Sequence, residues 1–204
     1  MYNKGISKEN FGEYPKAQNY LFLALSLMPK SLNTYKAIAR VNRKNKTYMN
    51  AIDFYNKAIA IFPNKAELYA SKAEVHRKIK EYNEAIDCYN MAIKLNPRNA
   101  EYYIARGETR YMQNDLQGAI NDYTGAIDCN NKNYKYYEQR AFYKAEKKNY
   151  ESAEDDYRKA IRLCPNNSHL YFMIAAVELL QNKKPDAKIN MNKAKALGMT
   201  EELI

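Results

Sequence analysis

The chain has 204 residues, 46% of them apolar, with 20 tyrosines, no tryptophan and only six glycines and six prolines. This supplies ample material for a core and excludes a flexible linker or a low-complexity segment. The net charge of +10 is uneven, with 11 Lys/Arg against 3 Asp/Glu in residues 1–65, so a basic face there can attract acidic protein, nucleic acid or an anionic membrane.

From the N-terminus, the one apolar run is Tyr20–Met28. It is too short to cross a bilayer, which needs about 20 residues, and it carries Ala17, Leu21, Ala24 and Pro29 at a spacing that recurs downstream. We read it as a helix of a repeat, with no signal or transmembrane segment, and expect a cytoplasmic location. The spacing returns at Ala51/Tyr55/Ala58/Pro63, Ala85/Tyr89/Ala92/Pro97 and Ala153/Tyr157/Ala160/Pro165. Pro63 to Pro97 is 34 residues and Pro97 to Pro165 is twice that. A fixed period of this length marks a stack of helical units without a single centre.

The prolines divide the chain into units 32–65, 66–99, 100–133, 134–167 and 168–201, preceded by 1–31, which lacks its first three places, and followed by a tail at 202–204. Each unit shows two apolar stretches at helical spacing. In 66–99 these are Ala66–Lys80 and Asn83–Leu95, joined by a turn around Lys80–Tyr82 and ended before Pro97. Small residues recur in three rows: Gly5, Ala39, Ala73, Gly107, Ala141, Ala175; then Ala17, Ala51, Ala85, Ala119, Ala153, Ala187; then Ala24, Ala58, Ala92, Ala126, Ala160, Ala194. Helix axes approach within about 8–10 Å only where side chains are small, so these rows are the expected contact lines. The tyrosines beside them are read as core.

These features resemble the tetratricopeptide repeat, whose signature is an aromatic, a large–small pair, then Ala, aromatic, Ala and Pro over 34 residues. The resemblance covers essentially the whole chain. Asn131 departs from it in the place of a terminating proline, and Met191 in the place of an aromatic. It implies an all-α fold, a right-handed α-α superhelical solenoid of tetratricopeptide-type helix pairs forming a single array, with first helices lining a concave groove. Beyond the family pattern, Arg106/Asp122 and Arg140/Asp156 share a 16-residue spacing, whereas the other units lack both partners at those places. This predicts a bidentate ion pair within each of those two units.

Little in the chain suggests catalysis, and we expect no enzyme, cofactor or metal. His76 and His169 are far apart, and no His/Cys/Asp cluster has metal-ligand spacing. Cys88, Cys129 and Cys164 are isolated and odd in number, which fits a reducing compartment.

The resemblance places function on the groove. Lys36, Arg40, Arg43, Lys44, Arg77 and Lys78 would make its N-terminal end basic, while Glu101 and Glu108 sit mid-groove beside Tyr111. Phe142, Phe172 and Leu179 would make its C-terminal end apolar. Such a gradient suits a peptide or helical segment of a protein partner, acidic at one end and apolar at the other. The family's clamp for a C-terminal carboxylate is poorly matched, since Glu101 would repel the charge. The expected function is a protein–protein interaction scaffold, monomeric or an end-to-end dimer. The alternatives are an RNA-binding helical-repeat protein and a structural spacer in a larger assembly.

Overall fold

A computed structural model describes residues 1–199, leaving the expected tail at 202–204 and the last two places of the final unit outside it. Among the described residues are twelve α-helices: α1 (Tyr2–Asn10), α2 (Tyr14–Leu27), α3 (Leu32–Lys44), α4 (Tyr48–Ile61), α5 (Ala66–Lys78), α6 (Tyr82–Leu95), α7 (Ala100–Met112), α8 (Leu116–Cys129), α9 (Tyr134–Glu146), α10 (Tyr150–Leu163), α11 (Ser168–Leu180) and α12 (Lys184–Ala196). Each repeat is one helical hairpin. None of these helices is long and apolar enough to cross a membrane.

The hairpin turn is the same throughout. In the third hairpin, Lys80 N–H bonds to Arg77 O (3.1 Å) and Glu81 N–H to His76 O (2.9 Å), the paired closure of a Schellman motif. It requires a left-handed residue, supplied by Gly12, Lys46, Lys80, Asn114, Lys148 and Asn182, each 34 residues after the last. This is why α5 ends at Lys78, two residues short of the expected Lys80. At their starts, α3, α7, α9 and α11 are capped by the side chains of Ser31, Asn99, Asn133 and Asn167. Asn131 costs no boundary, since α8 still ends at Cys129.

The chain divides into two compact units, Met1–Pro97 and Arg98–Ile204. In the first, Ala17, Leu21, Ala37, Ile38 and Val41 form one cluster, and Ala39, Ala51, Ile52, Tyr55, Ala58, Leu68 and Val75 another. In the second, a larger cluster includes Ala119, Tyr123, Tyr137, Ala141, Tyr143, Ala153, Tyr157 and Leu170. All three small-residue rows are buried, as the spacing predicts. A Cβ on Gly5 would lie 2.7 Å from Leu21 Cγ, so α1 and α2 cross where only hydrogen fits.

The predicted ion pairs hold the second unit. Arg106 donates to Asp122 from Nε (3.0 Å) and Nη2 (2.5 Å), and Arg140 to Asp156 from Nε (2.8 Å) and Nη2 (2.7 Å). Each buried carboxylate also takes a second cation four residues on from the first, Arg110 at 2.9 Å and Lys144 at 2.7 Å. In the last hairpin an acid stands on the first helix and a neutral amide on the second: buried Glu178 on α11 accepts from Asn190 Nδ2 on α12 at 2.8 and 2.9 Å.

Candidate functional site

Successive first helices meet through residues 31 apart, and in the first compact unit these contacts are ionic. Lys36 Nζ lies 2.9 Å from Glu67 Oε1, and Arg43 Nη1 lies 3.5 Å from Glu74 Oε2. Arg40 donates twice to Glu9 at 2.6 Å, and Lys44 Nζ joins it at 2.9 Å. The Glu9 side chain is only 1% exposed. Burial pushes its carboxyl up, but the hydrogen bonds from Arg40 and Lys44 outweigh this and hold it below the usual carboxylate range. Glu67 and Glu74 are half exposed, so their pairs contribute at most about 1 kcal/mol each.

The expected basic end of the groove is therefore largely occupied by the chain's own carboxylates. Four of the six predicted cations carry one. Arg77 is half-buried and Lys78 exposed, both at the end of α5. The sequence did contain a signal, the 31-residue offset shared by Glu9/Arg40, Lys36/Glu67 and Arg43/Glu74.

In the second unit the same offset brings different chemistry together. Tyr111 and Phe142 stack edge-on with ring centroids 6.0 Å apart. Glu138 faces His169 at 3.7 Å, too far for a hydrogen bond. Behind them Tyr143 meets Tyr111 at 4.8 Å and Tyr123 at 5.5 Å. Burial pushes the Tyr123 and Tyr143 hydroxyls up. It does the same to the Glu138 carboxyl, against the pull of His169 and Lys135.

Two clefts open between these first helices. One, between α7 and α9, is lined by Glu101, Ile104, Tyr123 and Tyr136, and shares Glu138 and Gln139 with the other. That other cleft lies between α9 and α11, with Phe142, Tyr157, His169 and Met173 completing its wall. Of the predicted site residues, Glu101 and Phe142 thus line clefts. Glu108 and Phe172 are half-buried on the same helices, while Tyr111 and Leu179 are exposed. Tyr157 and Glu138 were missed as a pair, because the tyrosine belongs to the core pattern.

Among the described residues no three His, Cys, Asp or Glu side chains are grouped to hold a metal. His76 is buried with Nδ1 2.7 Å from Glu81 Oε2.

Comparison with known families matches a TPR repeat at residues 73–114 and a tetratricopeptide repeat at 134–167. No curated protein sequence matches the chain. Among solved structures, MamA superposes with a TM-score of 0.73 at 22% identity, covering 83% of this chain and 93% of that one. YrrB, described as a TPR protein with an unusual peptide-binding site, gives 0.72 at 16% identity, covering 90% and 94%. A tetratricopeptide repeat protein from Parabacteroides merdae gives 0.69 at 17%, covering 98% and 93%. At these identities the likeness is one of fold.

Proposed function

Since this chain is a tetratricopeptide-repeat protein, we propose that it serves as a protein-interaction scaffold, holding a peptide or helical segment of a partner against its first helices. The observation that carries this reading is the contrast between the two compact units. The place held by the Arg43–Glu74 ion pair in the first is taken by the Tyr111–Phe142 ring pair in the second, where Phe142 also lines one of two clefts between first helices. Buried aromatic anchors seated in such clefts are the usual source of interface energy. Tyr111, Leu179 and Leu180 add exposed apolar area on the same set of helices.

An acidic stretch of partner would have to compete with Glu9, Glu67 and Glu74 for Lys36, Arg40, Arg43 and Lys44. The reading accordingly leans on the second unit for affinity. The peptide-binding site described for YrrB offers a precedent on a similar fold.

The test is affinity capture from native lysate with the wild-type chain and with Tyr111→Ser/Leu179→Ser. It is run with and without nuclease and at two salt concentrations. Proteins retained after nuclease and lost with the double variant are expected. Capture that disappears with nuclease, and falls steeply with salt as well, would replace this reading with nucleic-acid binding.

A further inference from the structure

The cleft between α9 and α11 has a volume of about 200 Å³, below the roughly 300–1,000 Å³ of small-molecule pockets and suited to one side chain. Its lining is chemically divided. Phe142 and Met173 are apolar, while Glu138, Gln139, His169 and Tyr157 bring polar groups. Tyr157 is 0% exposed, and its hydroxyl is buried without a hydrogen-bond partner. Buried polar groups are almost always paired, so this hydroxyl calls for a partner, and the adjoining cleft is where a water or a ligand atom would supply one.

Glu138 and Tyr157 line the same cleft, and burial together with the Glu138 charge pushes the Tyr157 hydroxyl up. The cations around Glu138 hold it only loosely, and its side chain keeps 23% of its surface exposed. His169 Nε2 stands 3.7 Å away on a side chain 56% exposed, and Lys135 acts only through space.

Three classes of ligand group can be compared. An anion would be repelled by Glu138. An apolar group would leave both Glu138 and the Tyr157 hydroxyl without partners. A cationic side chain can donate to the carboxylate and to the hydroxyl oxygen, lay its methylene stem along Met173, and place its charge against the Phe142 ring.

We propose that this cleft receives one lysine or arginine side chain of the protein partner, its charged end held by Glu138 and the Tyr157 hydroxyl and its stem by Phe142 and Met173. The proposal rests on the interaction role above and names the chemistry recognised at one point of it.

The probe is a library of acetylated, amidated dodecapeptides in which one fixed position is lysine, arginine, norleucine or glutamate. Recovered binders are measured by calorimetry against the wild-type chain, Glu138→Gln, Tyr157→Phe and the control Glu146→Gln at the exposed end of α9. Tyr157→Phe removes only an unpartnered hydroxyl, and circular dichroism confirms that it folds. Binders from the lysine or arginine series are expected, with affinity reduced about tenfold or more by Glu138→Gln, several-fold by Tyr157→Phe, and unchanged by Glu146→Gln. Binders that tolerate norleucine, or that ignore Glu138→Gln while losing affinity with Tyr111→Ser, would overturn the cleft but leave the scaffold reading standing. A library yielding no binder at all, or only binders that none of Glu138→Gln, Tyr157→Phe and Tyr111→Ser weakens, would overturn both.

Discussion

Replacing Arg140 with methionine keeps the reach of the side chain but strips Asp156 of two charge-assisted hydrogen bonds, at 2.7 and 2.8 Å. It also removes a bond of 2.9 Å to the Thr124 hydroxyl. Removing one partner of a buried pair costs about 3–5 kcal/mol, because the remaining charge is stranded. Asp156 is only 5% exposed, which argues for the full penalty. Lys144 remains at 2.7 Å, however, so the charge keeps a partner and about 2–3 kcal/mol is expected. The pairwise share follows from a cycle with Asp156→Leu and the double variant, with a coupling of about 1–3 kcal/mol. Repeat arrays can unfold in stages, so the readout is native-state hydrogen exchange of the α9 and α10 amides, which reports local opening. A cost below about 0.5 kcal/mol, with no measurable coupling, would show that the pair is geometry without energetic weight.

Three further outcomes are expected. Glu154 accepts from Lys183, Arg158 and Gln181, and although burial pushes its carboxyl up, these bonds hold it down at about 2. Its contribution is therefore present above the unfolded value near 4.3 and is lost as pH falls toward 2. Acid titration of stability should be shallower in Glu154→Gln, and an identical slope would refute the assignment. Gly5→Ala gains up to about 1 kcal/mol of helix propensity but forces a methyl against fully buried Leu21, at a cost of about 1–3 kcal/mol. A lower melting temperature is expected, and a higher one would mean that the α1–α2 crossing is looser than described. Lys80→Gly should raise stability by up to about 1 kcal/mol, since Lys80 holds φ at 65°. Urea denaturation showing a loss would mean that the lysine makes a compensating contact.

The fold was legible because its determinants repeat. A residue such as Ala92 or Tyr89 is uninformative alone, but the same choice every 34 residues fixes the helical period and the contact lines together. Arg106/Asp122 was readable for the same reason, as both partners vary jointly between units. The second cations, Arg110 and Lys144, were not, since each lies one turn beyond an arginine that already satisfied the pattern. The surface was less legible still. Lys36 and Arg40 read as unpaired charge because composition reports charge without its partner, and both carry a carboxylate of the chain. Which carboxylate reaches them depends on how one hairpin settles against the next, and that follows from packing, not from propensity. Tyr157 belongs to the core by its spacing, and only its unpartnered hydroxyl distinguishes it.

The placement of the ionic contacts has a consequence for how the chain folds. Arg106–Asp122 and Arg140–Asp156 close within one hairpin, between residues 16 apart. Glu9–Arg40, Lys36–Glu67 and Arg43–Glu74 bridge two hairpins and form only once both exist. Short loops close with less entropy lost than long ones. The α7–α8 and α9–α10 hairpins therefore gain an ionic closure as soon as each pairs with itself, whereas these N-terminal contacts wait for a second hairpin.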